Sequence, residues 1–401
     1  MNRISCILCK SKNLSEVINL GFHPLADTFL KKQQLQEPEV RYPLTVVFCG
    51  DCGHLMSGYS VPPEIRYQAN DYSYDSSNSK VAINHFKEMA EEVILKAGVK
   101  KNDLVVDVGS NVGTLLSFFS ASAGAKVLGI EPSKNIAELA LKNKIPTVNN
   151  FFNKSAEKEI LKIKKAKIIT ATNVFNHIDD LNGFMEIADS VLTDDGYLVV
   201  EAPYGGTLIK ETLFDTIYLE HVSYFLIKPL VEFFKKFNFT ISNIYLNDYM
   251  GGSARIYVKR GKDKNSEVDD FIKKEQEAGF FSKKIYDDFM SRTRNFKAKL
   301  CKDLYEIKSR GGIIIGIGAA TKGSTLLNYC SINSDILEYI TDASPLKIGK
   351  YAPGSHLLIR DDKEIGKEIT HALILPWNIG EFLKTKLKHL PVEFLVPQIT
   401  K

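Results

Sequence analysis

Residues 104–116 read LVVDVGSNVGTLL, and the fold follows from how that stretch is built. An apolar, β-branched run ends around Asp107, a turn carrying Gly109, Ser110, Asn111 and Gly113 follows, and a helical pattern begins at Thr114. Glycines at a strand-to-helix turn let the backbone approach a ligand at the sheet edge. The spacing is Gly109-x-x-x-Gly113 rather than G-x-G-x-x-G, so a pyrophosphate is not the favoured occupant. Downstream, AKVLGIEP, IPTVNNF, KIITATNVF and GYLVVEAP alternate with helical stretches such as NIAELALKNK and LNGFMEIADSVL. This is the βαβα rhythm of a parallel sheet covered on both faces. FTISNIYLN and SARIYVKRG are expected to close its far edge, and SKVAINHFKEMAEEVILKAG predicts a leading helix that stops at Gly98.

Beyond that sheet the polar stretch RGKDKNSEVDDFIKKEQEAG reads as a linker, followed by a long amphipathic helix from about Phe281 to Ser309. GGIIIGIGAATKG, LEYITDASP, THALILPWN and EFLVP then form a second α/β rhythm. The whole is an α/β protein of 401 residues, long enough for two or three domains. Hydrophobic residues at 44% and charged residues at 25% exclude a disordered or fibrous chain. A net charge of +4 is too slight to indicate a nucleic-acid-coating surface. No apolar run of membrane-spanning length occurs, and MNRISCILCK lacks a secretory h-region, so a soluble cytoplasmic protein with no membrane partner is expected.

Four of six cysteines fall as two CxxC pairs, Cys6/Cys9 and Cys49/Cys52. Two such turns complete a closed tetrahedral Cys₄ site for structural Zn²⁺, which suits a Pro- and Gly-rich lobe with little core of its own. His23 and His54 read as loop histidines rather than ligands, and Cys301 and Cys330 as buried or free thiols.

Glu131 ends the second strand in LGIEPS, where its carboxylate can accept both ribose hydroxyls of an adenosyl group. Together with Asp107, Gly109, Ser110, Asn111 and Gly113 it resembles the S-adenosylmethionine site of a class I methyltransferase. Asn173, in NVFNHIDDL, is a further cofactor-pocket candidate, although an Asn at a strand end often serves only the turn. The segment EAPYGGTLIKETLFDTIYLEHVSYF follows the fifth strand and packs Tyr218, Glu220, His221 and Tyr224 into seven residues. An imidazole can remove a proton, a tyrosine can hold or relay one, and a carboxylate can orient the imidazole. Alone, each of these side chains reads equally as a packed or hydrogen-bonded core residue. In IIIGIGAATKG, Lys322 precedes Gly323, so no Walker A motif is present, but Gly318 and Lys322 can cradle an anion.

Both CxxC pairs, NDYSYDSS at 70–77, the DVGSNVG turn, NVFNHIDDL, IYLEHVSYF, GGSARIYV and GIGAATKGSTLLNYC resemble, in this order, the bacterial nucleotide-sugar C-methyltransferases that methylate C3 of dTDP-linked 4-keto-deoxysugars. The resemblance spans essentially the whole chain. It implies a zinc-binding lobe (1–70), an S-adenosylmethionine-dependent methyltransferase domain (71–263) and a C-terminal nucleotide-sugar-binding Rossmann-like domain (264–401). It further implies His221 as the C3 base, Tyr218 as a contact to the C4 oxygen or a proton relay, Glu220 as a supporting carboxylate, and Tyr72 or Tyr74 reaching the sugar. Tyr224, Lys322 and Gly318 become substrate-binding candidates. The sequence departs from many relatives in carrying Met250 before Gly251, where a histidine is common, and Ala320 and Thr321 where a proline often stands. Sugar O-methylation is the rival enzyme reading. A zinc-ribbon nucleic-acid-binding protein is a second rival, poorly served by the sparse Arg3, Lys10 and Lys12.

Overall fold

The computed structural model describes residues 1–69, 71–262 and 265–397. Asn70, the first residue of the NDYSYDSS motif, and the 263/264 boundary lie outside the described residues. The N-terminal lobe contains β1 (Leu14–His23), β2 (Tyr42–Cys49) and β3 (Leu55–Ser57), paired antiparallel. The middle of the chain forms β4 (Leu104–Val108), β5 (Lys126–Ile130), β6 (Thr147–Val148), β7 (Ala166–Thr172) and β8 (Leu192–Pro203). After β9 (Ser223–Tyr224) come β10 (Phe239–Asn247) and β11 (Ser253–Arg260). A seven-stranded sheet runs β10-β11-β8-β7-β4-β5-β6; β10 and β11 close its far edge as expected, and they do so as an antiparallel hairpin. β4 is buried at every position, as a central parallel strand must be.

β9 does not join that sheet. It pairs with β3, so the segment following His221 completes the sheet of the N-terminal lobe, in the order β1-β2-β3-β9. The C-terminal part builds β12 (Ile314–Ile317), β13 (Leu337–Asp342), β14 (Ile359–Asp361), β15 (His371–Ile374) and β16 (Glu393–Leu395). These form a parallel five-stranded sheet ordered β14-β13-β12-β15-β16. The helix Lys80–Ala97 ends as expected, at Gly98 with φ +62°. The helix Lys283–Ser309 buries Tyr286, Phe289, Thr293, Phe296, Leu300 and Leu304, a three- and four-residue spacing that holds one face to the core.

The stretch read as a linker is instead a helix, Ser266–Glu277, started by Asn265, whose side chain accepts from the N–H of Glu267. Its one buried acid explains why so polar a segment folds. Glu275 accepts from the N–H groups of Ile227 (2.6 Å) and Lys228 (3.0 Å) and from the hydroxyl of Tyr204 (2.8 Å), and so caps the helix Ile227–Lys235. No helix among the described residues is long and apolar enough to cross a membrane.

Candidate active site and metal centre

The four paired cysteines converge although about forty residues separate the pairs. All four sulfurs lie within 4.8 Å of one another, with Cys6–Cys52 at 3.6 Å and Cys9–Cys49 at 3.5 Å. Tetrahedral Zn²⁺–thiolate bonds require S···S edges of about 3.8 Å, so the donor set fits zinc. N–H groups of Leu8 and Cys9 point at the Cys6 sulfur, that of Ser11 at Cys9 and that of His54 at Cys52, the second layer that stabilises thiolates. His54 is not a ligand; it is buried, with Nε2 3.2 Å from Ser223 Oγ on β9. His23 is buried too, bonded to the Leu20 carbonyl at 2.9 Å. Cys301 and Cys330 are free and adjacent, Cys301 donating to the Cys330 carbonyl.

At the C-terminal ends of β4 and β5 lies a cavity of about 660 Å³, lined among others by Asp107, Gly109, Ser110, Asn111, Glu131 and Asn173. Glu131 takes the N–H of Asn111 on one carboxylate oxygen (3.0 Å) and that of Ser133 on the other (2.8 Å). Each oxygen keeps a lone pair for a ribose hydroxyl. Burial raises its pKa to about 7. Asp107 is likewise pushed up to about 7 by burial, against a hydrogen bond from Thr170 Oγ1 at 2.7 Å. Asn173 adopts φ +54° and leaves its buried Oδ1 without a partner, as does Ser110 its Oγ. Residues with unpartnered polar atoms in the lining of a cavity with an apolar wall suit an adenosyl group. Two glycines in the turn have different reasons. A Cβ on Gly109 would lie 2.3 Å from Val174, while one on Gly113 would strike Ile145 at 2.6 Å, so Gly113 serves packing behind the site. Tyr72 and Tyr74 both line the cavity on a strap held by Asn111, which takes the N–H of Ser76 and donates to the Tyr74 carbonyl.

Beyond that cavity a buried polar seam joins the lobes. His221 is 4% exposed and its Nδ1 is 2.7 Å from the Thr216 carbonyl, which can only accept. The proton therefore sits on Nδ1 and Nε2 is the basic nitrogen. Burial lowers the His221 pKa to about 3, so the ring is neutral. The Tyr218 ring lies 3.8 Å from it, and His177, which lines the cofactor cavity, meets it edge-on at 4.9 Å. The expected orienting role of Glu220 is not observed. The Thr216 carbonyl orients the imidazole, because Glu220 turns toward the N-terminal lobe and accepts the N–H of Asp27 at 3.1 Å. Glu220 Oε2, Thr216 Oγ1 and the amide of Asn176 are buried without partners. Tyr224 is buried beside them in β9.

Lys322 approaches from the C-terminal sheet, but its ammonium is already engaged, 3.8 Å from buried Asp215, 3.1 Å from Asn378 Oδ1 and over the ring of Trp377. Gly318 has φ +83° and a Cβ there would meet Pro376 at 2.8 Å, which makes it a packing glycine as much as a cradle. Asp27, Arg66, His177 and Thr216 escaped the sequence reading. His177 and Thr216 stand inside segments singled out above, and nothing local marks Asp27 or Arg66.

This Rossmann-like sheet with its cofactor-sized cavity defines a class I S-adenosylmethionine-dependent methyltransferase. Residues 6–67 match the family model of a methyltransferase zinc binding domain, 82–243 a methyltransferase domain and 248–394 the C-methyltransferase C-terminal domain. The three models match one after another along the chain, which is an S-adenosylmethionine-dependent C-methyltransferase. It is 28% identical over 378 residues, 93% of this chain and 89% of the other, to C-methyltransferase NovU of Streptomyces niveus. Among solved structures it is similar to an S-adenosylmethionine-dependent methyltransferase from Clostridium acetobutylicum ATCC 824 (13% identity, 46% of this chain, 95% of that one, TM-score 0.38). Magnesium protoporphyrin IX methyltransferase (ChlM) from Synechocystis PCC 6803 with bound SAM gives 12% identity, 50% and 90% coverage and a TM-score of 0.35.

Proposed function

We propose that the protein methylates C3 of a nucleotide-linked 4-keto-deoxysugar. The observation that carries this reading is His221, a buried neutral imidazole whose basic Nε2 lies at a seam of unpartnered polar groups next to the cofactor cavity. A ketone acidifies the neighbouring C–H, and a base of this kind removes that proton where water is excluded. S-adenosylmethionine supplies the electrophilic methyl group when bound. Glu131, Asn111, Asp107 and Asn173 hold the adenosyl end, while Tyr72 and Tyr74 roof the cavity. Tyr218, tilted against His221, stays protonated because burial pushes its phenol up, and so can donate to the oxygen where enolate charge develops. Lys322 serves the nucleotide phosphates in exchange for Asp215 and Asn378.

Incubation with S-adenosylmethionine and dTDP-4-keto-6-deoxyglucose in deuterium oxide, followed by mass spectrometry, tests the reading. A methyl gain with loss of the C3 hydrogen, or deuterium exchange at C3 without transfer, is expected. Methyl gain with the C3 hydrogen kept would mean O-methylation, and neither event across dTDP, GDP, UDP and CDP keto sugars would overturn the substrate class.

A further inference from the structure

Asp27 stands in PLADTF, outside every motif, yet three parts of the chain meet on it. It is 8% exposed. Its N–H donates to Glu220 Oε1, 193 residues away. Its carboxylate accepts from Thr321 Oγ1 at 2.7 Å, 294 residues away, and from the hydroxyls of Ser73 and Tyr72. Lys347, buried and anchored on the Ala319 carbonyl at 2.8 Å, is the cation that acts on it. Glu220 is served less well: one oxygen has the Asp27 N–H, and Oε2 has no partner. Two carboxylates in one buried site do not both ionise readily, and the proton goes to the one with fewer donors. Burial raises Asp27 as well, but Lys347 and three hydroxyl donors, of Thr321, Ser73 and Tyr72, act against it, so the proton falls to Glu220.

We propose that Asp27 is a positioning residue contributed to the active site by the zinc lobe: beside it, Glu220 keeps a proton and presents Oε2–H to the substrate as a hydrogen-bond donor. The inference rests on the enolate reading above. In that step the C3–H bond breaks, its proton goes to His221 Nε2, and the electron pair moves toward the C4 oxygen. Glu220 shares its proton with that oxygen and recovers it as the C3–CH₃ bond forms and the S–CH₃ bond breaks. His221 then yields its proton to solvent, and Glu220 ends the cycle unchanged. The imidazole thereby accepts the proton, and the carboxyl joins Tyr218 as a donor to the same oxygen.

The groups facing the pair fit this state. Burial, then the Asp27 charge, raise Glu220 to about 7. Tyr67, Tyr72, Tyr74, Tyr218 and Tyr224 are all pushed up and stay neutral. His177 and His221 are pushed down and are neutral too. Arg66 and Lys347 are the cations acting on the pair.

Infrared titration of the zinc- and S-adenosylmethionine-loaded protein reads the proton directly. Wild type should show a carboxylic-acid C=O band that titrates with a midpoint of about 7 and is absent from Glu220→Gln. Asp27→Asn keeps the N–H and an acceptor for Thr321, and should lower the midpoint by about one unit or more. The alkaline limb of the methyl-transfer pH profile should move with it. Should Asp27→Asn lose zinc or fail to fold, Thr321→Val, which removes one donor to Asp27, should shift the midpoint in the same direction by less. A wild-type band absent at pH 7, or a midpoint unmoved in the folded variant, would overturn the proposal. Because the band needs no sugar, this outcome is separable from failure of the enolate reading, which the exchange experiment detects.

Discussion

His221 is the residue on which the proposed chemistry turns, and its isolation from water sets its behaviour. Replacing it with alanine should lower kcat by about 10²- to 10⁴-fold, the usual worth of a positioned base. S-adenosylmethionine affinity, measured by calorimetry, should be unchanged, since the groups proposed to hold the cofactor, Glu131 and the glycine turn, do not include His221. Near-wild-type turnover would remove His221 from the base role. Glu131 makes a second prediction, in pH. Its folded pKa of about 7 lies above its ordinary value, so the free protein favours the protonated form, and stability falls as pH rises from about 4.5 to 7. In the proposed site ribose hydroxyls would donate to the carboxylate, so the cofactor would prefer the ionised form. Affinity should therefore rise through pH 7 by at most about tenfold per unit and level off above it. In Glu131→Gln the slope should flatten and binding weaken; a retained slope would point to Asp107 instead.

At the scale of elements, the helix Ser266–Glu277 shows how one residue fixes a segment that composition leaves open. Glu275→Gln keeps the shape but gives up carboxylate acceptance toward two backbone N–H groups and a phenol. It should cost about 1–3 kcal/mol in urea unfolding, with the S-adenosylmethionine site intact. The strands of the central sheet, the cofactor turn and the CxxC pairs were legible because each is local. Asp107, Gly109 and Asn111 share one turn, and each cysteine pair sits on one. The capping of residue 227 by residue 275, the pairing of β9 with β3, and Asp27 on Glu220 were not legible, because such contacts form across 48 to 193 residues and leave no spacing to read. His221 was found as part of a dense cluster. Its true orienting partner, a main-chain carbonyl, has no sequence signature at all.

For the molecule as a whole, the zinc lobe is a wall of the site as well as a neighbour. Arg3 and Arg66 both pair with Asp179, and the Arg66 guanidinium also meets the carbonyls of His177 and Glu220. Removing zinc with a strong chelator should thus lower the melting temperature and reduce methyl transfer together, with recovery on adding Zn²⁺ back. Cys49→Ser should reproduce the chelated state. Full turnover in protein shown to be free of zinc would separate the lobe from the reaction.

The pairing of β9 with β3 also bears on how the chain is made. His54 and Ser223, which meet at that junction, are 169 residues apart. At a synthesis rate of about 5–20 residues per second, some ten to thirty seconds pass between the emergence of the two. Through that interval β3 is an open sheet edge, a template for foreign strands. The nascent lobe is thus the part of this protein most in need of a chaperone, and the same strand that ends the wait brings His221 to its place.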